Sequence, residues 1–196
     1  MPPILKPAKT DHPILDVIAN RWSPLAFSEK PIEDEKVAQL FEAARWAASS
    51  YNEQPWIYVY AAKGDEGRET LEALLVEGNA WAKHAGLLVV AFARKNFSKN
   101  GKPNVEAQHD VGAATAFLTL QAEALALVTH QMAGFYSDRA NAALSVPLDY
   151  EPSSMIAVGY PGDSATLPED LRKREESPRV RRKIEEFAFR GKFGKS

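Results

Sequence analysis

Arg21-Trp22-Ser23-Pro24 sets a guanidinium two residues from a hydroxyl at the end of a short amphipathic segment, a natural grip for a phosphate group. Downstream, Ser49-Ser50-Tyr51-Asn52-Glu53-Gln54-Pro55-Trp56 gathers hydroxyls and amides into a polar loop that ends in Pro-Trp before an apolar run. Such a loop can present hydrogen-bonding groups to a heterocycle. Taken as a pair, the two clusters point to a phosphorylated, ring-bearing cofactor. Each also has a plainer reading: Arg21 suits the C-terminal end of a helix dipole, and the serine loop can simply join a helix to a strand.

Other chemistries are poorly served. The four histidines, His12, His84, His109 and His130, lack the helical pairing with a carboxylate that a zinc-protease site needs, and His109 beside Asp110 reads as a helix-start pair. There is no Gly-x-Ser-x-Gly elbow, no glycine-rich loop ending in Lys-Ser/Thr, and no Gly-x-Gly-x-x-Gly after a strand. Zero cysteines exclude a thiolate metal site, an iron–sulfur cluster and a cysteine nucleophile. Enzyme chemistry would therefore have to come from a bound cofactor.

The elements that must position these clusters are legible in part. Asp11 can cap a helix with Pro13 in its first turn and Ile14, Val17 and Ile18 on one face. A second helix starts near Glu33 or Asp34 and ends near Ala48, before Pro55. Trp56–Tyr60 and Ser154–Tyr160 read as strands, and Gly86–Ala93 is apolar throughout, as in a strand buried on both faces. Leu71, Leu74 and Leu75 mark a further helix, Lys95–Asn104 a lid-like polar loop, Val105–Val128 a long apolar helix, and Ser137 the cap of a short one. The stretch Val111–Ser137 carries too many Thr and Gln residues for a bilayer helix and reads as a buried helix. The order of these elements indicates mixed α and β with a central sheet, the long apolar helix being buried inside the domain or between subunits.

The 196 residues allow one sizeable domain, expected over 1–171, with a basic, aromatic C-terminal extension over 172–196 that packs on the domain or on a partner subunit. With 45% hydrophobic and 26% charged residues and a net charge of −2, nothing favours a nucleic acid or a membrane as partner. The basic tail could belong to a nucleic-acid-binding module, but its cations are interleaved with Glu175, Glu176, Glu185 and Glu186. The lack of cysteine and of an apolar N-terminal leader sets a cytoplasmic location as the expectation.

The chain resembles the FMN-dependent nitroreductase family. Arg21-Trp22-Ser23 is similar to that family's Arg-x-Ser motif, and Ala48–Trp56 to its Pro-Ser-x-x-Asn-x-Gln-Pro-Trp motif. Met132-Ala133-Gly134-Phe135 looks like its Gly-Phe loop, and Arg179 and Arg181 like its C-terminal basic pair. The resemblance implies an α+β fold, with a central, mostly antiparallel sheet flanked by helices, and a homodimer formed through the long helix with FMN at the subunit interface. It also implies NADH or NADPH as co-substrate and a small-molecule electron acceptor such as a nitroaromatic or quinone. It implies that Arg21, Trp22, Ser23, Arg179 and Arg181 hold the FMN phosphate region. Ser49, Ser50, Asn52 and Gln54 would line the ribityl chain and ring edge from the other subunit, while Met132, Ala133 and Gly134 pass the flavin N5 edge. No metal and no catalytic side chain is expected. Leu25 departs from the pattern, since many relatives carry Lys or Arg there. That departure keeps open a flavin-binding redox sensor or storage protein with little turnover.

Overall fold

A computed structural model describes residues 4–194. Four antiparallel strands, β1 (Trp56–Ala62), β2 (Leu87–Arg94), β3 (Val128–Met132) and β4 (Tyr150–Gly159), lie in the order β1-β2-β4-β3. The apolar run of β2 is buried on both faces and pairs with β1 on one side and β4 on the other. Its Leu87, Val89, Ala91 and Ala93 point to one core layer, and Leu88, Val90 and Phe92 to a second. Pro152 sits where the β2–β4 register slips between Ala91 and Phe92, a bulge that tolerates its missing N–H.

The first core layer is closed by α2 (Asp34–Arg45) and α4 (Ala107–Ala124), whose Val37, Leu40, Val111 and Leu118 meet the sheet. The second is closed by α3 (Arg68–Ala73), a 3₁₀ segment Glu77–His84, α5 (Ser137–Ala143) and the chain around Leu25–Phe27. Two more helices, α1 (Asp16–Asn20) and α6 (Glu169–Glu176), lie near the termini. Among the described residues no helix is long and apolar enough to cross a membrane.

Several element boundaries differ from the sequence expectations. The long helix ends at Ala124, not near Val128, and the residues beyond form edge strand β3. Ala126 takes φ +57°, and the Leu127 N–H turns back to the Ala122 carbonyl at 2.8 Å, closing the helix. The β-branched pair Val128-Thr129 then suits a strand. α1 starts at Asp16 behind Leu15, not at an Asp11 cap, and α2 stops at Arg45. β4 starts at Tyr150, four residues earlier than expected. α4 is also not buried all round: Val111, Ala114, Leu118 and Ala122 are fully enclosed, whereas Gly112, Ala116 and Phe117 are exposed.

Candidate functional site

The segment after α1 is fixed by backbone contacts with the exit of β4. Ser28 N–H donates to the Tyr160 carbonyl at 2.9 Å, and Gly162 N–H to the Ala26 carbonyl at 3.0 Å. A Cβ on Gly162 would stand 2.5 Å from the Phe27 backbone, so this approach requires glycine. Glu175, in the last turn of α6 and 3% exposed, accepts the Leu25 N–H at 2.7 Å and the Ala26 N–H at 3.4 Å. Burial pushes its carboxyl above the usual range, against the pull of these two bonds and of Lys6. Arg179 is tied down in turn, donating to the carbonyls of Lys6 at 2.6 Å and Ala19 at 2.8 Å.

These contacts assemble a pocket of about 250 Å³ from residues far apart in sequence. Arg21, Trp22, Ser23, Arg179 and Arg181 line it together with Lys6, Leu25, His130, Arg174 and Glu175. Arg21 Nη1 donates to Ser23 Oγ at 3.4 Å, and Lys6 Nζ lies 4.5 Å from the centre of the Trp22 ring. Burial, then the charges of Arg179 and Arg181, lower the Arg21 pKa, with Glu123 as the opposing carboxylate. The Arg179 pKa is lowered by burial and by Arg181. Crowded, partly desolvated cations of this kind are stabilised by an anion.

His130 forms part of the same wall from β3. Its Nδ1 donates to the Pro24 carbonyl at 2.9 Å, and its ring lies 4.6 Å from that of Trp81. Burial holds its pKa below the ordinary histidine value, and Arg174 and Arg21 push the same way. From His130 the strand runs to Met132, and the chain bends at Ala133 before Gly134. Met132 is buried, Ala133 and Gly134 are exposed, and Asn79 Nδ2 donates to the Gly134 carbonyl at 2.7 Å.

Ser49, Ser50, Asn52 and Gln54 lie elsewhere. Ser50 N–H donates to buried Asp110 at the start of α4 at 3.0 Å, and Gln54 N–H donates to Ser49 Oγ at 3.0 Å. Arg21 sits by Glu123 near the other end of that helix. Asp110 and Glu123 are about 20 Å apart at helical rise, so one chain does not bring the two clusters together. Tyr51, Asn52 and Gln54 have φ of +52°, +56° and +49° without a glycine among them. Left-handed backbone at non-glycine residues is strained and concentrates at functional loops. The Lys95–Asn104 loop is braced against this segment: Ser98 N–H donates to Glu53 at 2.6 Å, and the Phe97 ring meets that of Tyr51 edge-on.

Sequence reasoning missed Lys6, His130, Arg174 and Glu175. Glu175 was legible only as one acid among basic neighbours, and His130 only as a residue in an apolar stretch. No cluster of three or more His, Asp or Glu residues that could hold a metal occurs among the described residues.

The chain matches the Nitroreductase family model over residues 18–80 and 75–160. It belongs to the Nitroreductase family. An uncharacterized 15.4 kDa relative from Mycolicibacterium smegmatis is 37% identical over 134 residues, 68% of this chain and 89% of that one. A protein of Xanthomonas oryzae pv. oryzae with the provisional name NADH dehydrogenase/NAD(P)H nitroreductase is 27% identical over 72% of this chain and 81% of its own length. The solved structure of an oxidoreductase containing FMN superposes with a TM-score of 0.89 at 35% identity, covering 96% of each chain. Among members of the Nitroreductase family, one from Clostridium difficile 630 shares the fold, with a TM-score of 0.69 at 22% identity over 88% of this chain and 95% of the other.

Proposed function

We propose that this nitroreductase-family protein is an FMN-dependent oxidoreductase that carries hydride from NADH or NADPH to a small acceptor such as a nitroaromatic or a quinone. The observation that carries this is the convergence of Arg21, Ser23, Arg179 and Arg181 on one pocket, where the three guanidinium groups repel one another and Glu123 offsets both Arg21 and Arg179. A phosphate monoester fits that donor set, and the FMN-containing oxidoreductase supports the choice of cofactor. The bound flavin would supply the hydride chemistry at N5.

The chain's own part is to bind, orient and exclude water. Arg21, Arg179 and Arg181 would neutralise the phosphate, and Ser23 would add a hydrogen bond, beside Trp22. Met132, Ala133 and Gly134 would run beside the ring edge, where the missing Gly134 side chain allows close approach. Ser49, Ser50, Asn52 and Gln54 would complete the site from a second copy, because they stand at the far end of α4. The exposed Gly112, Ala116 and Phe117 stripe on α4 is the face proposed for that dimer. Residues 172–196 would act as an arm on the 1–171 domain or its partner.

Leu25 favours a second reading, a flavin-binding redox sensor or storage protein. Its side chain is buried in the core and brings no charge to the pocket it lines. A cation there would stabilise reduced flavin. Purified protein should be yellow and bleach under anaerobic NADH or NADPH. Recovery of colour with a nitroaromatic or quinone marks the oxidoreductase, and persistent bleaching with every acceptor marks the sensor. Protein that is colourless and takes up no added FMN overturns both.

A further inference from the structure

Arg174 lines the cationic pocket with Arg21, Ser23, Arg179 and Arg181, yet it differs from the other cations there. Arg179 is spent on the carbonyls of Lys6 and Ala19, and Lys6 on those of Glu175 and Ser177. Arg21 reaches Ser23 Oγ at 3.4 Å, and Arg181 donates to the Val180 carbonyl at 2.8 Å. The Arg174 side chain is exposed and makes no hydrogen bond or ion pair among the described residues.

Its place is nonetheless set by the residue that follows it. Glu175 accepts the Leu25 N–H at 2.7 Å, which pins the last turn of α6 to the chain at residue 25. Leu25 and Arg174 are also the two residues that this pocket shares with the larger cavity beside it, so both stand on the same rim. Burial and then the charge of Arg174 lower the pKa of His130, so the guanidinium is within electrostatic range of β3, two residues before Met132. With the FMN phosphate on Arg21, Ser23, Arg179 and Arg181 and its ring beside Met132–Gly134, Leu25, His130 and Arg174 form the wall between the two. Only Arg174 brings an unspent positive charge to that wall.

We propose that Arg174 contacts the N1–O2 edge of the flavin and supplies there the cation that Leu25 does not. This rests on FMN occupying the pocket. Hydride transfer from the nicotinamide to N5 carries two electrons into the ring and leaves negative charge on N1 and O2. A guanidinium on the pinned turn presents parallel N–H donors to that charge, and it gains more from the reduced ring than from the oxidised one. Arg174 therefore raises the midpoint potential of the bound flavin.

Arg174→Gln and Arg174→Lys, each loaded with FMN, test this by two readouts that need no physiological acceptor: the midpoint potential from dye equilibration, and the affinity for sulfite. The sulfite sulfur bonds to N5 through its lone pair, and the displaced electron pair settles on N1 and O2, so the adduct reports charge stabilisation at that edge. Arg174→Gln should weaken sulfite binding about tenfold, the low end for a hydrogen bond to a charged group. The same tenfold in the two-electron equilibrium lowers the potential by about 30 mV. Oxidised FMN should bind Arg174→Gln about as tightly as wild type, because the phosphate grip is intact. Arg174→Lys should recover part of both losses. Lys173→Gln, which removes the adjacent cation paired with Glu169 at 2.6 Å, should change neither readout. Wild type and Arg174→Gln with equal potentials and equal sulfite affinities overturn the proposal, as does an equal shift from Lys173→Gln. A wild-type chain that takes up no FMN overturns the flavin reading itself, and this inference with it.

Discussion

Replacing Glu175 with Ala should unfasten the segment that carries Arg21 and Ser23. The carboxylate is 3% exposed and holds the Leu25 and Ala26 N–H groups at 2.7 and 3.4 Å. Without it both donors stay buried and unmatched, at a cost of about 1–3 kcal/mol each. The longer bond belongs at the low end, so the total is about 2–5 kcal/mol. For a chain of this size that corresponds to a melting temperature lower by about 5–15 °C. Glu175→Gln keeps one good acceptor and should lose about half as much. The pH dependence adds a second reading of the same site. Burial raises the folded pKa of Glu175, so the folded state holds its proton more tightly than the unfolded chain. Wild-type stability should therefore fall as pH rises from the ordinary carboxylate range through the raised value, then level off. Glu175→Gln lacks that titration, so the wild-type advantage over it should shrink across the window. Urea and thermal unfolding of the three proteins from pH 4 to pH 8 measure both effects. An Ala variant that melts within about 2 °C of wild type, or a wild-type advantage over Gln that grows with pH, refutes the reasoning.

Three other substitutions probe separate parts of the fold. Arg21→Gln should weaken FMN binding about 10- to 100-fold by fluorescence titration, the worth of a charged hydrogen bond, without lowering the flavin-free melting temperature, because Arg179 and Arg181 repel Arg21. Arg68→Met should cost about 3–5 kcal/mol in urea unfolding: the side chain, 4% exposed, donates to the carbonyls of Ala61, Lys83 and Ala85 and pairs with Glu72 at 2.8 Å. FMN affinity of its folded fraction should match wild type. His130 has a folded pKa below its ordinary value, so its share of stability is present above the usual histidine range and is lost as pH falls through it. His130→Phe should flatten the decline in urea midpoint between about pH 7 and pH 5; an unchanged slope assigns that decline to other groups.

How much was legible before the structure varies by element. The unbroken apolar run of β2 announces a strand buried on both faces, and the structure places it at the centre of the sheet. The end of α4 is opaque because its left-handed residue is Ala126, where Gly or Asn would have marked the stop. For the same reason β3 vanished into the helix expected before it. The loop at Tyr51–Gln54 shows its polarity in sequence but not its backbone, since none of its left-handed residues is glycine. Arg21, Ser23, Arg179 and Arg181 were expected to act together from the family resemblance, and they line one pocket. Glu175 could not be found that way. Its role depends on meeting main-chain donors about 150 residues away, a contact with no local periodicity to betray it.

The separation of Arg21 from Asn52 by much of the length of α4 has a genetic consequence. In the proposed dimer each site draws one cluster from each chain. A subunit damaged at Arg21 and a subunit damaged at Asn52, once paired, would leave one site with both lesions and the other with none. Two alleles that are each inactive in the homozygous state could then restore activity to a mixed cell, with flavin content near one molecule per mixed dimer.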